Sequence, residues 1–355
     1  MANLLITGGA GFVGSHTCLA LLLAGHRLLA LDNFANSGPE SLRRVAELAA
    51  LQPLVATGVG SWATADQRLS LRQGDVRSRR DLDPVFAAEP IDGVLHFAGL
   101  KAVAESISQP LQYWDVNVAG SVCLLQAMEA GGCRTLVFSS SATLYGHPER
   151  LPIAEAAPIQ PINPYGQTKA AVEQLLADVA GSHPGWRIAR LRYFNPVGAH
   201  ASGRIGEDPR GTPTNIFPLI SQVAMGRHPR LEVFGRDWPT ADGTGVRDFI
   251  HVMDLAEGHG VALALLLAEA PQLLTLNLGS GQGHSVLELV TSFAAASGQP
   301  IPIQFSARRP GDSAISIADA TAAEQRMGWR THRGLAEICR DGWAWQQANP
   351  QGYGV

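Results

Sequence analysis

The chain has 355 residues, of which 46% are hydrophobic and 16% charged, a composition that excludes a disordered or low-complexity protein and fits one large or two ordinary domains. A net charge of −4 gives no reason to expect nucleic acid or an anionic membrane as partner. The four cysteines, Cys18, Cys123, Cys133 and Cys339, form no CxxC and no zinc-ligand spacing with histidine, so no metal is expected and a reducing, cytoplasmic compartment is.

The chain starts directly in a strand-like run, Leu4 to Thr7, without a basic segment or cleavage site, which predicts no signal peptide. Further apolar β-type runs follow at Leu28–Leu31, Leu69–Arg72, Val94–Phe97, Leu136–Ser139 and Ile188–Leu191. Helical patterns lie between several of them, at Ser15–Ala24, Gly120–Ala130 and Thr168–Ala180. Strands alternating with helices predict an α/β fold with a doubly wound parallel sheet of Rossmann type. Residues 51–68, with Pro53, Gly58 and Gly60, read as an irregular surface insertion. After Asn195 the chain turns rich in Gly, Pro and polar residues up to residue 244, with a short helix near Pro218–Met225. Asp254–Leu267 then reads as helix, Leu274–Leu278 as strand, and 285–297 and 319–327 as helices. The most apolar run, Val261–Ala268, is far short of the roughly 20 residues a membrane helix needs.

The first strand runs into Thr7-Gly8-Gly9-Ala10-Gly11-Phe12-Val13-Gly14 and then a helix. Glycines at 8, 11 and 14 allow a tight turn, close approach of backbone to a pyrophosphate, and close helix–strand packing. A glycine pattern alone is weak; one that leaves a strand and opens a helix points to a dinucleotide. The second strand ends at Asp32, whose carboxylate suits an adenosine ribose and repels a 2′-phosphate, so NAD is expected over NADP. Asp75, after the third strand, is placed to meet the adenine. Phe97-Ala98-Gly99 ends the fourth strand with small residues that let a cofactor lie close. The expected organisation is an NAD-binding domain over 1–195, with segments returning near 246–280. A smaller, mixed α/β substrate domain, mainly 196–355, interleaves with it.

Only two of the 27 basic residues are lysines, Lys101 and Lys169. Lysine is a compact, tunable point charge where guanidinium is broad and permanently charged. Lys101 follows the fourth strand directly. Lys169 stands four residues after Tyr165, which on a helix puts ammonium and phenol on one face and favours phenolate. The fifth strand ends in Ser139-Ser140-Ser141, so a hydroxyl can face Tyr165 across the cofactor. No GxSxG elbow occurs, which argues against a serine hydrolase.

Glycine loop, Asp32, Ser141 and Tyr165-xxx-Lys169 together resemble the extended short-chain dehydrogenase/reductase family. His96–Val103, Ser139–Gly146, Leu191–His200 and Gly243–Leu255 narrow the resemblance to the UDP-glucose 4-epimerase family, in order and through nearly the whole chain; only the insertion at 51–68 lacks a counterpart. The resemblance implies a UDP-sugar substrate, tightly bound NAD and a homodimer, with no nucleic-acid or membrane partner. It implies that Tyr165 takes the sugar 4-OH proton, that Lys169 lowers its pKa and holds the nicotinamide ribose, and that Ser141 bonds the same sugar oxygen. It further places Asn33, Asn36, Ser37, Val76, Lys101, Asn117, Ser139 and Tyr193, with the glycine loop, against the cofactor. Lys101, Phe194, Asn195, Asn215, Ile216, Phe234, Arg247, Arg309 and Asp312 fall to the substrate, the two arginines on its phosphates.

Ser316 falls where some family members carry a bulky Tyr beside the sugar C2 substituent. A small residue there goes with acceptance of N-acetylated sugars, so UDP-GlcNAc/UDP-GalNAc interconversion is expected as a second activity. Two other readings stay open. A nucleotide-sugar dehydratase needs an acid/base pair where this chain has Ala142, Thr143 and Leu144. A non-catalytic nucleotide-sugar sensor would have no use for an intact Tyr165, Lys169 and Ser141.

Overall fold

Along the first two strands, β1 (Asn3–Thr7) and β2 (Arg27–Asp32), alternate side chains point to opposite faces. Leu4, Ile6, Leu28 and Ala30 enter one buried cluster, and Leu5, Leu29 and Leu31 enter another on the far side. A sheet apolar on both faces must be covered on both. In the computed structural model, which describes all residues except Thr212, Thr214, Pro310 and Val355, helices do so. On one side lie α1 (Phe12–Leu23) and α2 (Glu40–Leu48).

After α2 come β3 (Val55–Gly58), β4 (Ser61–Ala63) and β5 (Leu69–Gln73), then α3 (Arg79–Ala88) and β6 (Gly93–His96). The insertion at 51–68 is thus not irregular. Its β3 and β4 form an antiparallel pair that extends the sheet beyond β5. Gly60, at φ +63°, makes the turn, and Trp62 anchors the pair by packing edge-on against Phe34 at 5.8 Å. Short strands of small and polar residues, most of them exposed, gave no alternation to read.

Helices α4 (Val103–Ser108), α5 (Pro110–Tyr113) and α6 (Gly120–Ala130), with a π-helical stretch Trp114–Ala119 before the last, lead to β7 (Thr135–Ser141). Helix α7 (Pro164–Ser182) and β8 (Arg187–Tyr193) follow. Short strand β9 (Asn195–Val197), helix α8 (Ile216–Ala224), β10 (Leu231–Phe234), β11 (Val246–His251) and α9 (Val252–Ala268) come next, before β12 (Gln272–Leu278). The large sheet has nine strands in the order β12-β8-β7-β6-β1-β2-β5-β4-β3, parallel from β12 to β5. Helix α9 packs on α1.

The rest of the chain is β13 (Gly283–Ser285), α10 (Val286–Ser297), β14 (Ile303–Ser306), β15 (Ile315–Ser316), α11 (Thr321–Met327) and α12 (Leu335–Ala348). Strand β11 pairs with β9, β13 and β15, and β10 pairs with β14. These small sheets share a separate core in which Phe293 stacks edge-on with Phe217 at 5.5 Å and Trp343 at 6.1 Å.

One buried polar network fixes the parts that matter for the site. Glu173 on α7 is 1% exposed. It accepts hydrogen bonds from Ser140 Oγ at 2.5 Å and from Arg192 Nη2 at 2.6 Å, tying the helix to the ends of β7 and β8. Arg192 also donates to the Tyr145 hydroxyl at 2.8 Å, which donates to Asn277 Oδ1 at 2.7 Å. Asn277 Nδ2 donates to the carbonyl of Ile153 at 2.8 Å, and Ile153 bridges to Ala318 just beyond β15. Removing one partner of a buried ion pair strands the other charge. Glu173→Ala is therefore expected to destabilise the fold by about 3–5 kcal/mol, read as a lower urea midpoint; a variant within 1 kcal/mol of wild type, taken as ~RT-scale noise plus one weak bond, contradicts the assignment.

Candidate active site

All the parallel strands present their carboxyl ends to one edge, where ligands bind in open α/β sheets. After β1 the chain turns at Gly8, at φ +69°. A Cβ there would stand 2.6 Å from the Ala98 nitrogen, and one on Gly14 would stand 2.2 Å from the Gly8 carbonyl oxygen. No larger residue fits at either position without moving backbone. Helix α1 opens at Phe12 with no side-chain cap, so the N–H groups of Phe12, Val13 and Gly14 have no acceptor inside the helix. These three residues, with Gly8 and Gly11, line a cavity of about 760 Å³ along the sheet edge. A backbone cradle of free donors at a helix N-terminus fits a pyrophosphate.

Asp32 ends β2 and is buried against the same cavity. It accepts hydrogen bonds from the Ala10 and Phe34 nitrogens at 3.0 Å and from Ser37 Oγ at 2.7 Å. Burial raises its pKa, and these donors together with the charge of Arg210 oppose that rise. Asn33, Asn36 and Ser37 line the cavity beside it, as do Val76, Phe97, Ala98 and Gly99 further along. Asp75 does not line it: its carboxylate accepts from Arg77 Nη2 at 2.7 Å and Asn33 Nδ2 at 3.1 Å. Asn117 stands behind the wall. Its Oδ1 accepts from the Leu100 nitrogen at 2.8 Å and its Nδ2 donates to Thr168 Oγ1 at 3.0 Å, holding the loop before Lys101 to α7. Lys101 lines the cavity, with its ammonium 2.7 Å from Glu207 Oε1.

Helix α7 begins with Asn163 as cap, its Oδ1 accepting from the Gly166 nitrogen at 2.8 Å, and Pro164 in the first turn. The cap places Tyr165 at the mouth of the helix and Lys169 one turn on. Lys169 is buried and donates to the Ser139 carbonyl at 2.6 Å, its nitrogen 5.9 Å from the Tyr165 ring centre. Burial lowers the Lys169 pKa to about 8, and the charge of Glu173 opposes that fall. Burial also raises the Tyr165 pKa, opposed by a hydrogen bond from Ser141. Within the protein, then, desolvation sets the direction at Tyr165, and the group that opposes it is Ser141. The Ser141 hydroxyl also bonds Thr143 Oγ1 and accepts from the Thr143 nitrogen at 3.2 Å. Tyr193, paired with Ser141 in register, lines the cavity and bonds His259 Nε2 through its hydroxyl.

The far wall comes from the C-terminal part of the chain. Phe194, Asn195, Asn215, Ile216, Arg247, Asp312 and Ser316 all line the cavity. Ser316 stands beside Arg247 in the β15–β11 register. Burial lowers the Arg247 pKa, Asp312 opposes this, and the nearby Arg309 adds to it. Two guanidiniums close together, one of them buried, suit an oxyanion pair. Arg309 and Phe234 lie just outside the cavity lining, stacked on one another with the guanidinium carbon 3.9 Å from the ring centre. The cavity also holds Thr143, Asn163, Glu207 and Arg210, which sequence reasoning passed over; the last two sit in a polar Gly/Pro-rich stretch with no local motif to mark them. Among the described residues no group of three or more His, Cys, Asp or Glu could hold a metal, and no helix is long and apolar enough to cross a membrane.

Comparison with known proteins agrees with this geometry. A sequence model of the NAD dependent epimerase/dehydratase family matches residues 4–279. A UDP-glucose 4-epimerase of Bacillus subtilis (strain 168) is 49% identical over 350 residues, 99% of this chain and 98% of that protein. A UDP-glucose 4-epimerase of Oryza sativa subsp. japonica is 48% identical over 356 residues, 100% of this chain and 97% of that protein. The crystal structure of a UDP-glucose-4-epimerase from Stenotrophomonas maltophila, with bound NAD and formylated UDP-arabinopyranose, superposes with a TM-score of 0.92 at 46% identity, covering 99% of both chains. Identity of this order across almost every residue, on the same backbone path, means common descent: the chain belongs to the NAD-dependent epimerase/dehydratase family and, within it, to the UDP-glucose 4-epimerases.

Proposed function

We propose that this chain interconverts UDP-galactose and UDP-glucose at C4 through a 4-keto intermediate, with NAD as resident cofactor. The observation that carries the reading is the meeting of Tyr165, Ser141 and Lys169 beside the glycine cradle, facing Arg247 across one cavity. The cradle and Asp32 would hold the dinucleotide, and Lys169 its nicotinamide ribose. When bound, NAD supplies a hydride acceptor that returns the hydride to the opposite face of the sugar, and a positive charge beside Tyr165 that favours phenolate. Tyr165 takes the 4-OH proton as base and gives it back on the return step. Ser141 holds the same oxygen. A sugar C4–H is too weakly acidic for direct deprotonation, whereas a ketone carbon is planar and keeps no configuration. Arg247 and Arg309 hold the diphosphate, and Asn195, Asn215, Phe234 and Asp312 the rest of the nucleotide, so the keto sugar can turn while its anchor stays fixed.

Ser316 supports a second activity on UDP-GlcNAc and UDP-GalNAc, because its small side chain leaves the wall beside Arg247 open. A homodimer is supported by Leu111, Trp114 and Val122 along the run from α5 to α6, 84%, 41% and 36% exposed, with Ile107 exposed on the preceding α4. Four free cysteines support the cytoplasmic reading.

Purified protein is expected to form UDP-glucose from UDP-galactose without added NAD; no product, even after NAD is supplied, overturns the reading. Tyr165→Phe should cut turnover by about 10²–10⁴ with NAD still bound. Lys169→Arg keeps the charge but not the fit to the Ser139 carbonyl, and should lose a comparable factor. The Lys169 proton leaves as pH rises through about 8, so turnover should fall on the alkaline side of that value; a wild-type rate flat to pH ~10, near the free lysine pKa, argues against it. UDP-GlcNAc should be turned over, and Ser316→Tyr should remove that activity while sparing UDP-galactose; no conversion of UDP-GlcNAc at high enzyme sinks the second activity. In light scattering the protein should run as a dimer and Trp114→Glu as a monomer, whereas a monomeric wild type rejects the interface.

A further inference from the structure

The segment Gly206–Arg210 forms a continuous stretch of the cavity wall, every one of its five residues lining it. It belongs to the part of the chain that follows β9, yet its fastenings are on the cofactor side. At one end Glu207 Oε1 accepts from the Lys101 ammonium at 2.7 Å, just past the end of β6. At the other end the Arg210 guanidinium donates to the Phe34 carbonyl at 2.8 Å, and the Arg210 backbone nitrogen donates to Asn36 Oδ1 at 2.8 Å, just past the end of β2. Strand β1 and its glycine turn lie between β6 and β2. Two inter-strand spacings come to about 10 Å, and three extended residues reach about 10 Å, so the span from Glu207 to Arg210 matches the crevice over the glycine cradle.

The segment is backed from behind. Asp208 Oδ2 accepts from the Tyr353 nitrogen at 2.8 Å, the Glu207 carbonyl accepts from Trp345 Nε1 at 3.2 Å, and Arg44 of α2 donates to the Arg204 carbonyl at 3.1 Å. Gly206 presses so close to Trp345 that a Cβ would stand 2.3 Å from the indole. Phe34, whose carbonyl receives Arg210, sits at φ +59°, a conformation rare outside glycine, and is held there by Asp32.

We infer that Gly206–Arg210 is a strap that retains the dinucleotide, with Glu207 and Arg210 as its two fastenings and therefore as cofactor-holding residues. The inference rests on the NAD reading above. A cofactor that ends each turnover unchanged gains nothing by leaving, and a strap over the pyrophosphate puts two charge-assisted fastenings in the way of its exit. Arg210 adds a cation beside the diphosphate and beside Asp32; Glu207 occupies the ammonium of Lys101, so the two ends are fastened by opposite charges.

The test is cofactor exchange. Wild type, Arg210→Ala and Glu207→Gln are purified as they come, their NAD content is measured after denaturation, and bound NAD is chased with labelled NAD. Each variant should exchange about tenfold or more faster than wild type, the loss expected for one charge-assisted hydrogen bond. Melting curves at saturating NAD separate a loosened strap from a misfolded chain, and should Arg210→Ala not fold, Glu207→Gln decides. Exchange at the wild-type rate in the folded variants overturns the strap. Wild type that neither carries NAD nor takes it up overturns the cofactor reading instead.

Discussion

Glu173 is the group on which the site's geometry depends. It is a buried carboxylate on the helix that carries Tyr165 and Lys169, and it binds the hydroxyl next to Ser141 and the guanidinium of Arg192. Together with the bond from Lys169 to the Ser139 carbonyl, it fixes the rotation of α7 against the ends of β7 and β8. Its negative charge also opposes the loss of the Lys169 proton. A buried ion pair contributes little net stability when compared with apolar packing. What it supplies here is register: three elements meet at one point, and Ser141 sits one residue from it.

Electrostatics in the cavity follow from burial more than from pairing. Tyr165 and Lys169 are both pushed toward their neutral forms by desolvation. Proximity of an ammonium does not by itself yield a phenolate, since the same apolar surroundings that strengthen the attraction penalise both charges. Asp32 shows the same balance, raised by burial and drawn back by three hydrogen bonds and the charge of Arg210. Of the protein's own groups, Ser141 opposes the rise at Tyr165.

Much of this was legible in the sequence, and the boundary is physical. Patterns local in the chain could be read: apolar runs of β type, a glycine turn between strand and helix, a Tyr and a Lys one turn apart. Each has its meaning within a few residues. The edge pair β3–β4 has no apolar alternation to mark it, because its strands are mostly exposed; pairing with β5 and the packing of Trp62 on Phe34 hold it. Asp75 and Asn117 lie near the cavity wall, but their side chains are committed to Arg77 and to Leu100 and Thr168, a fact no spacing reveals. Glu207 and Arg210 find their partners more than a hundred residues away.

The scarcity of lysine gains a physical reason from these contacts. Arginine serves wherever a fork is wanted: Arg192 bonds Glu173, Tyr145 and the Glu155 carbonyl at once, and Arg77 bonds both Asp75 and Asp115. Lys169 does something a guanidinium cannot. Its single nitrogen fits between the Ser139 carbonyl and the Phe138 ring, 4.9 Å from the ring centre, and its proton is labile near neutral pH. Lys101 is half-exposed and its ammonium reaches Glu207. One ammonium is buried and tuned, the other is half-exposed and paired with Glu207, and both settings suit a point charge on a flexible stem better than a rigid plane.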